Sequence, residues 1–91
     1  MTRLEELQTW FDGEIYVEGA EVVNPISGGA ISLDNYALSI YDFIMGTEAL
    51  VHALRTQGTP TEIIGNVLEL HGTAMSWFRK HYPEEYMVLL D

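Results

Sequence analysis

The densest apolar patterning in the chain lies in residues 33–56, LDNYALSIYDFIMGTEALVHALRT. Leu33, Ala37, Ile40, Ile44, Val51 and Leu54 recur at helical spacing, and Tyr36, Phe43 and Leu50 widen the same face. Tyr41 and Met45 fall outside that stripe, while Ser39, Gly46, Ala49 and Ala53 form a line of small side chains on which another backbone could sit closely. A helix this apolar should be covered from more than one side, by the rest of the chain or by another molecule. The pattern predicts a central helix over 33–57, capped by Ser32 or Asp34 and ended by Gln57-Gly58, with Arg55 near its negative end.

A second periodic stretch predicts a long helix over 60–82. Thr59, Pro60 and Glu62 read as N-cap, first helical position and capping-box partner. Glu62, Asn66, Glu69, Thr73, Ser76 and Lys80 form a polar stripe, and Ile63, Ile64, Val67, Leu68, His71, Met75 and Phe78 form the side to be buried. The short connection over 57–60 makes the two long helices antiparallel neighbours. Gly65 and Gly72, seven apart, each cost about 1 kcal/mol of helix propensity relative to Ala, a cost that points to a close helix–helix or subunit contact.

Shorter elements flank this pair. Within residues 1–12, Thr2 can cap a helix over 3–11 that Asp12-Gly13 ends, with Leu4, Leu7, Trp10 and Phe11 on its docking face. Residues 14–32 form a hairpin and loop segment. In EIYVEGAEVV, β-branched and aromatic residues flank Gly19-Ala20, which suits a two-residue hairpin turn with Val17 opposite Val22, although Glu18 and Glu21 would then repel. NPISGGAIS should reverse the chain again, through Asn24-Pro25 and Gly28-Gly29. Residues 83–91 read as a terminal helix begun by Pro83, too apolar at Tyr86, Val88, Leu89 and Leu90 to hang in water.

The expected fold is therefore mainly α in a single 91-residue domain: two long antiparallel helices, short N- and C-terminal helices and a small N-terminal β-hairpin. With 47% hydrophobic residues the chain has the composition of a folded protein rather than an acidic tail. Fourteen acids against four Lys and Arg give a net charge of -10, which excludes direct binding to nucleic acid because phosphate arrays need a basic footprint. Such a surface suits a basic partner protein or serves solubility alone. MTRLEELQTW lacks the apolar run of a signal peptide, and Asp42, Glu48 and His52 interrupt residues 36–54 too often for a membrane span, so a cytoplasmic protein is expected.

Tests for chemistry return little. With no cysteine, thiolate nucleophiles and Cys-based zinc sites are excluded. The glycines of NPISGGAIS match neither a Walker A loop nor a dinucleotide fingerprint. Glu48 and His52 share a helix face as metal ligands do, but the second Glu-x-x-His of a di-metal bundle is missing, and a surface pair is the simpler reading. Asp42 would be a site candidate if buried; an acid beside so many apolar residues more often faces solvent or binds a neighbouring group. No catalytic, metal or cofactor-binding residue is assigned. Trp77, Phe78, Tyr82 and Tyr86 make an aromatic cluster that serves as core or as an anchor for a partner.

NPISG at 24–28, YDFIMG at 41–46 and WFRKHYPEEYMVLLD at 77–91 resemble stretches of small uncharacterised proteins of tailed bacteriophages. That resemblance implies the cytoplasm of an infected bacterium as the setting and host machinery as the partner, with no activity to transfer. The sequence thus predicts a non-enzymatic acidic interaction module that self-assembles, as a homodimer for instance, or binds a basic host protein. The interaction candidates are Tyr41, Met45, Gly65, Gly72, Trp77, Tyr86, Glu62 and Glu69. Two alternatives are a DNA-mimicking inhibitor, using Glu62, Glu69 and the Glu14–Glu21 segment, and a small metal-dependent helical enzyme.

Overall fold

The structure, a computed structural model, describes residues 2–91. Its elements run α1 (Arg3–Gln8), β1 (Ala20–Val23), β2 (Ala30–Leu33), α2 (Asn35–Thr56), α3 (Thr61–His81) and α4 (Pro83–Leu89). The fold is mainly helical: two long packed helices, α2 and α3, with a short helix at each end and a two-stranded antiparallel hairpin.

Each boundary has a local cause. Thr2 closes a capping box with Glu5, its Oγ1 accepting from the Glu5 N–H at 3.2 Å while its own N–H donates to Glu5 Oε1 at 3.0 Å. α1 ends at Gln8, a turn before the expected Asp12-Gly13 stop, although the Phe11 N–H still bonds Leu7 O. Of the two caps considered for α2, Asp34 is used, accepting from the Ala37 N–H at 2.8 Å. α2 closes in a Schellman motif: Gly58, at φ 71°, lets its own N–H reach Arg55 O while the Thr59 N–H reaches Leu54 O.

That closure displaces the expected start of α3. A capping box needs a free N–H on its N-cap residue, and the Thr59 N–H is already held by α2. α3 therefore begins one residue later, at Thr61, with Pro60 as a cap that makes no side-chain hydrogen bond. The polar stripe from Glu62 to Lys80 is exposed throughout, as its spacing requires, whereas Ile63 and Leu68, expected inside, are half exposed.

The hairpin is real but displaced from the predicted register. Its strands are 20–23 and 30–33, pairing Ala20 with Leu33 and Val23 with Ala30, and its loop is Asn24–Gly29 rather than Gly19-Ala20. Asn24 organises the loop: its Oδ1 accepts from the Ile26 and Ser27 N–H groups, and Gly28 supplies the left-handed residue at φ 77°. Residues 14–18 form no strand because the Tyr16 backbone is otherwise engaged, its N–H donating to Ser39 Oγ at 2.8 Å and its carbonyl accepting from Asn35 Nδ2 at 3.1 Å. The separation of Glu18 from Glu21 by this route also removes the expected repulsive pairing.

The core lies at one end of the helix pair. Leu7, Leu33, Ala37, Ile40, Tyr41, Ile44, Ala74, Trp77, Phe78, Tyr82 and Leu89 form one buried cluster, under α1, the hairpin and α4. Beyond Ile44 and Ala74, toward the α2–α3 turn, the buried residues among those described are Thr47, Val51 and Ile64. The radius of gyration of 13.7 Å exceeds the roughly 12 Å of a compact domain of this length, consistent with a projecting two-helix finger.

Candidate interaction surface

Three polar clusters fasten the core end, of which the Glu6–Lys80 pair also rims a groove and Tyr16 with Asp42 lines a shallow depression. Tyr82, between α3 and α4, donates its hydroxyl to the Asp34 carboxylate at 2.8 Å and accepts from Arg3 Nη1 at 2.8 Å, while the guanidinium also lies 4.7 Å from its ring centroid. Burial of the phenol, reinforced by Asp34 and opposed by Arg3, drives its pKa well above the usual tyrosine value. Glu6 of α1 meets Lys80 Nζ at 3.1 Å and His81 Nε2 at 2.8 Å; the Lys80 hydrogen bond, with a smaller share from His81, holds its carboxyl below the ordinary range against the opposing effect of desolvation. Asp42 is exposed and accepts from the Tyr16 hydroxyl at 2.8 Å, so it binds a neighbouring group rather than forming a buried acid.

The Glu48–His52 surface pair is not formed. Glu48 instead reaches across to α3, with its Oε1 3.2 Å from His71 Nε2, and His52 is exposed. These polar links, Arg3–Tyr82–Asp34 above all, were invisible in the sequence because their members are 23 to 79 positions apart. Among the described residues, no three His, Asp or Glu side chains gather as a metal site would require.

The interaction candidates divide by burial. Tyr41 (8% exposed) and Trp77 (3%) belong to the core. Trp77 keeps a buried indole N–H with no partner among the described residues, beside the His81 ring at 4.9 Å. Tyr86 is half buried against the core with Arg79 over its ring at 5.7 Å. Met45, Gly65, Gly72, Glu62 and Glu69 are exposed, and a methyl group at either glycine would meet open space. Of the small-residue line on α2, Ser39 does carry a closely seated backbone, at Tyr16, while Gly46 and Ala49 remain exposed.

A surface that the sequence did not single out lies on the finger. Phe43 of α2 and Leu70 of α3 line one depression, with Trp10 and Phe11 packed there; Phe11 meets Phe43 edge-on at 5.2 Å. Seven residues toward the tip on each antiparallel helix, hence on the same side, stand Leu50 and Ile63. This second pair is about half exposed, Leu50 at 45% and Ile63 at 50%, and so is Leu70 at 45%. Leu54 and Gln57 flank the pair on α2, and on α3 Asn66 borders it within the polar stripe that also carries Glu62 and Glu69. A separate groove of ≈ 600 Å³ beside α1 is lined by Trp10, Gly72, Thr73, Ser76 and Trp77 and rimmed by Glu6, Glu69 and Lys80.

No protein-family model matches the chain, and neither a curated protein nor a solved structure shows significant similarity to it. Among the described residues, no helix is long and apolar enough to cross a membrane.

Proposed function

We propose that this protein is a non-catalytic interaction module whose α2–α3 finger is covered by another protein chain. The observation that carries the reading is the row of half-exposed Leu50, Ile63 and Leu70, which begins where Phe11 packs on Phe43. Completing the burial of a half-exposed aliphatic side chain contributes roughly 1 kcal/mol, so Leu50, Ile63 and Leu70 together supply a driving force that solvent exposure forgoes. The resemblance to tailed-phage proteins supplies a setting, a bacterial cytoplasm in which the partner is a protein.

Site-specific photocrosslinking in bacterial cells tests this reading. A photoreactive side chain at position 50 should yield discrete protein adducts, while the same group at position 62, on the exposed polar stripe, should yield none. Absence of an adduct at 50, or equal labelling at both positions, would contradict it.

A further inference from the structure

We infer that the groove between α1 and α3 binds a basic peptide segment of another protein, with an arginine side chain at Glu69 and a peptide carbonyl at the Trp77 indole N–H. The groove measures ≈ 600 Å³, within the roughly 300–1,000 Å³ of ligand-binding sites. Gly72 leaves room within it, since a methyl group there would meet nothing within 4 Å. The contact is separate from the finger face: Leu50, Ile63 and Leu70 do not line the groove, and Glu62 stands about 10 Å further along α3 from Glu69.

Charge selects one half of the ligand. Glu6, Glu69 and Lys80 line the groove. Lys80 is bonded to Glu6 at 3.1 Å and His81 to the same carboxylate at 2.8 Å, so these groups answer one another. Glu69 is exposed and forms no ion pair among the described residues. In a chain of net charge -10 the groove therefore takes a cation and repels an anion. A guanidinium meets a carboxylate through two parallel N–H donors, and its planar group and methylene stem suit the indole of half-buried Trp10.

The other half follows from Trp77. It lines the same groove, is 3% exposed, and holds an indole N–H with no partner among the described residues. A buried donor left unmet is costly, and it gains from an acceptor inserted beside it. Arginine and lysine side chains carry donors only, so a bare polycation leaves this N–H unmet. A peptide brings a backbone carbonyl next to each of its side chains. The unpaired carboxylate and the unmet donor together select a basic peptide over a polyamine.

Both tryptophans of the chain line the groove, so the two indole N–H signals in a proton–nitrogen correlation spectrum of the full chain report its occupation. The probe is a blocked alanine pentapeptide with arginine at its centre, compared with the same peptide carrying glutamate there and with spermidine. The arginine peptide should shift both signals saturably, with a Kd of about 1 mM or below. Glu69→Gln, which removes the charge, and Gly72→Leu, which fills the groove, should each raise that Kd about fivefold or more. Both positions are exposed on α3, and unchanged helical circular dichroism would confirm that each variant folds. The inference is overturned by a Trp77 signal that stays in place, by an equal response to the glutamate peptide or to spermidine, or by binding that survives either substitution. Such a failure leaves the reading of the finger standing, because position 50 lies outside the groove.

Discussion

A methyl group added at Gly19 would run into the Leu33 carbonyl oxygen and stand 2.8 Å from Asp34 Cα, whereas one added at Gly65 or Gly72 would touch nothing within 4 Å. The same residue type therefore serves opposite ends in one chain. Gly19 lets residues leaving the Tyr16 anchor pass close to the junction of β2 and α2, and Gly19→Ala should destabilise the fold by about 1–3 kcal/mol in urea unfolding, because backbone rather than a flexible side chain must move. Gly65→Ala and Gly72→Ala should each stabilise the isolated chain by about 0.5–1 kcal/mol through helix propensity. Tyr82 supplies a prediction of a different kind. Its folded pKa lies above its unfolded value near 10, so its contribution to stability is complete below about pH 10 and is lost as pH rises toward the folded value. Phenolate absorbance should show Tyr82 titrating after the ordinary tyrosines, and Tyr82→Phe should remove that part of the alkaline stability loss.

The helices and the hairpin differ in how far they were legible in the sequence. Periodicity located α2 and α3 to within two residues at each end, because their burial pattern is a property of the helices themselves. The hairpin register and the start of α3 escaped because each depends on a backbone group already engaged elsewhere: the Tyr16 N–H and carbonyl on α2, and the Thr59 N–H on the end of α2. A direct check follows for Thr59. Thr59→Ala should change stability by less than about 0.5 kcal/mol, against the roughly 1 kcal/mol that loss of a working N-cap would cost. α1 is held to α3 partly through charge, which gives it an acid sensitivity. Glu6 has its folded pKa lowered, so its contribution is present above the unfolded value and lost as pH falls through the carboxylate range. Glu6→Gln should flatten the decline in stability on acidification, read from thermal melts at a series of pH values.

For the whole molecule, the consequence is an uneven distribution of stability along two continuous helices. The core end is enclosed by four other elements, and its buried cluster stops at Ile44 and Ala74; at the outer end the buried residues among those described are Thr47, Val51 and Ile64. The excess apolar surface of residues 33–56 was legible from the sequence, but not its location, since only the fold shows that Trp10 and Phe11 pack on Phe43 while Leu50 is 45% exposed. Of the aromatic cluster near the C-terminus, which the sequence reads as core or anchor, the fold turns Trp77, Phe78 and Tyr82 inward as core. Segments with few buried apolar contacts open at low free energy, and a covering partner raises that free energy by mass action. Amide hydrogen exchange of the purified chain tests this most directly. Protection of residues 47–56 and 61–70 should fall well below that of residues 37–44 and 74–82; equal protection of the two ends would contradict the account.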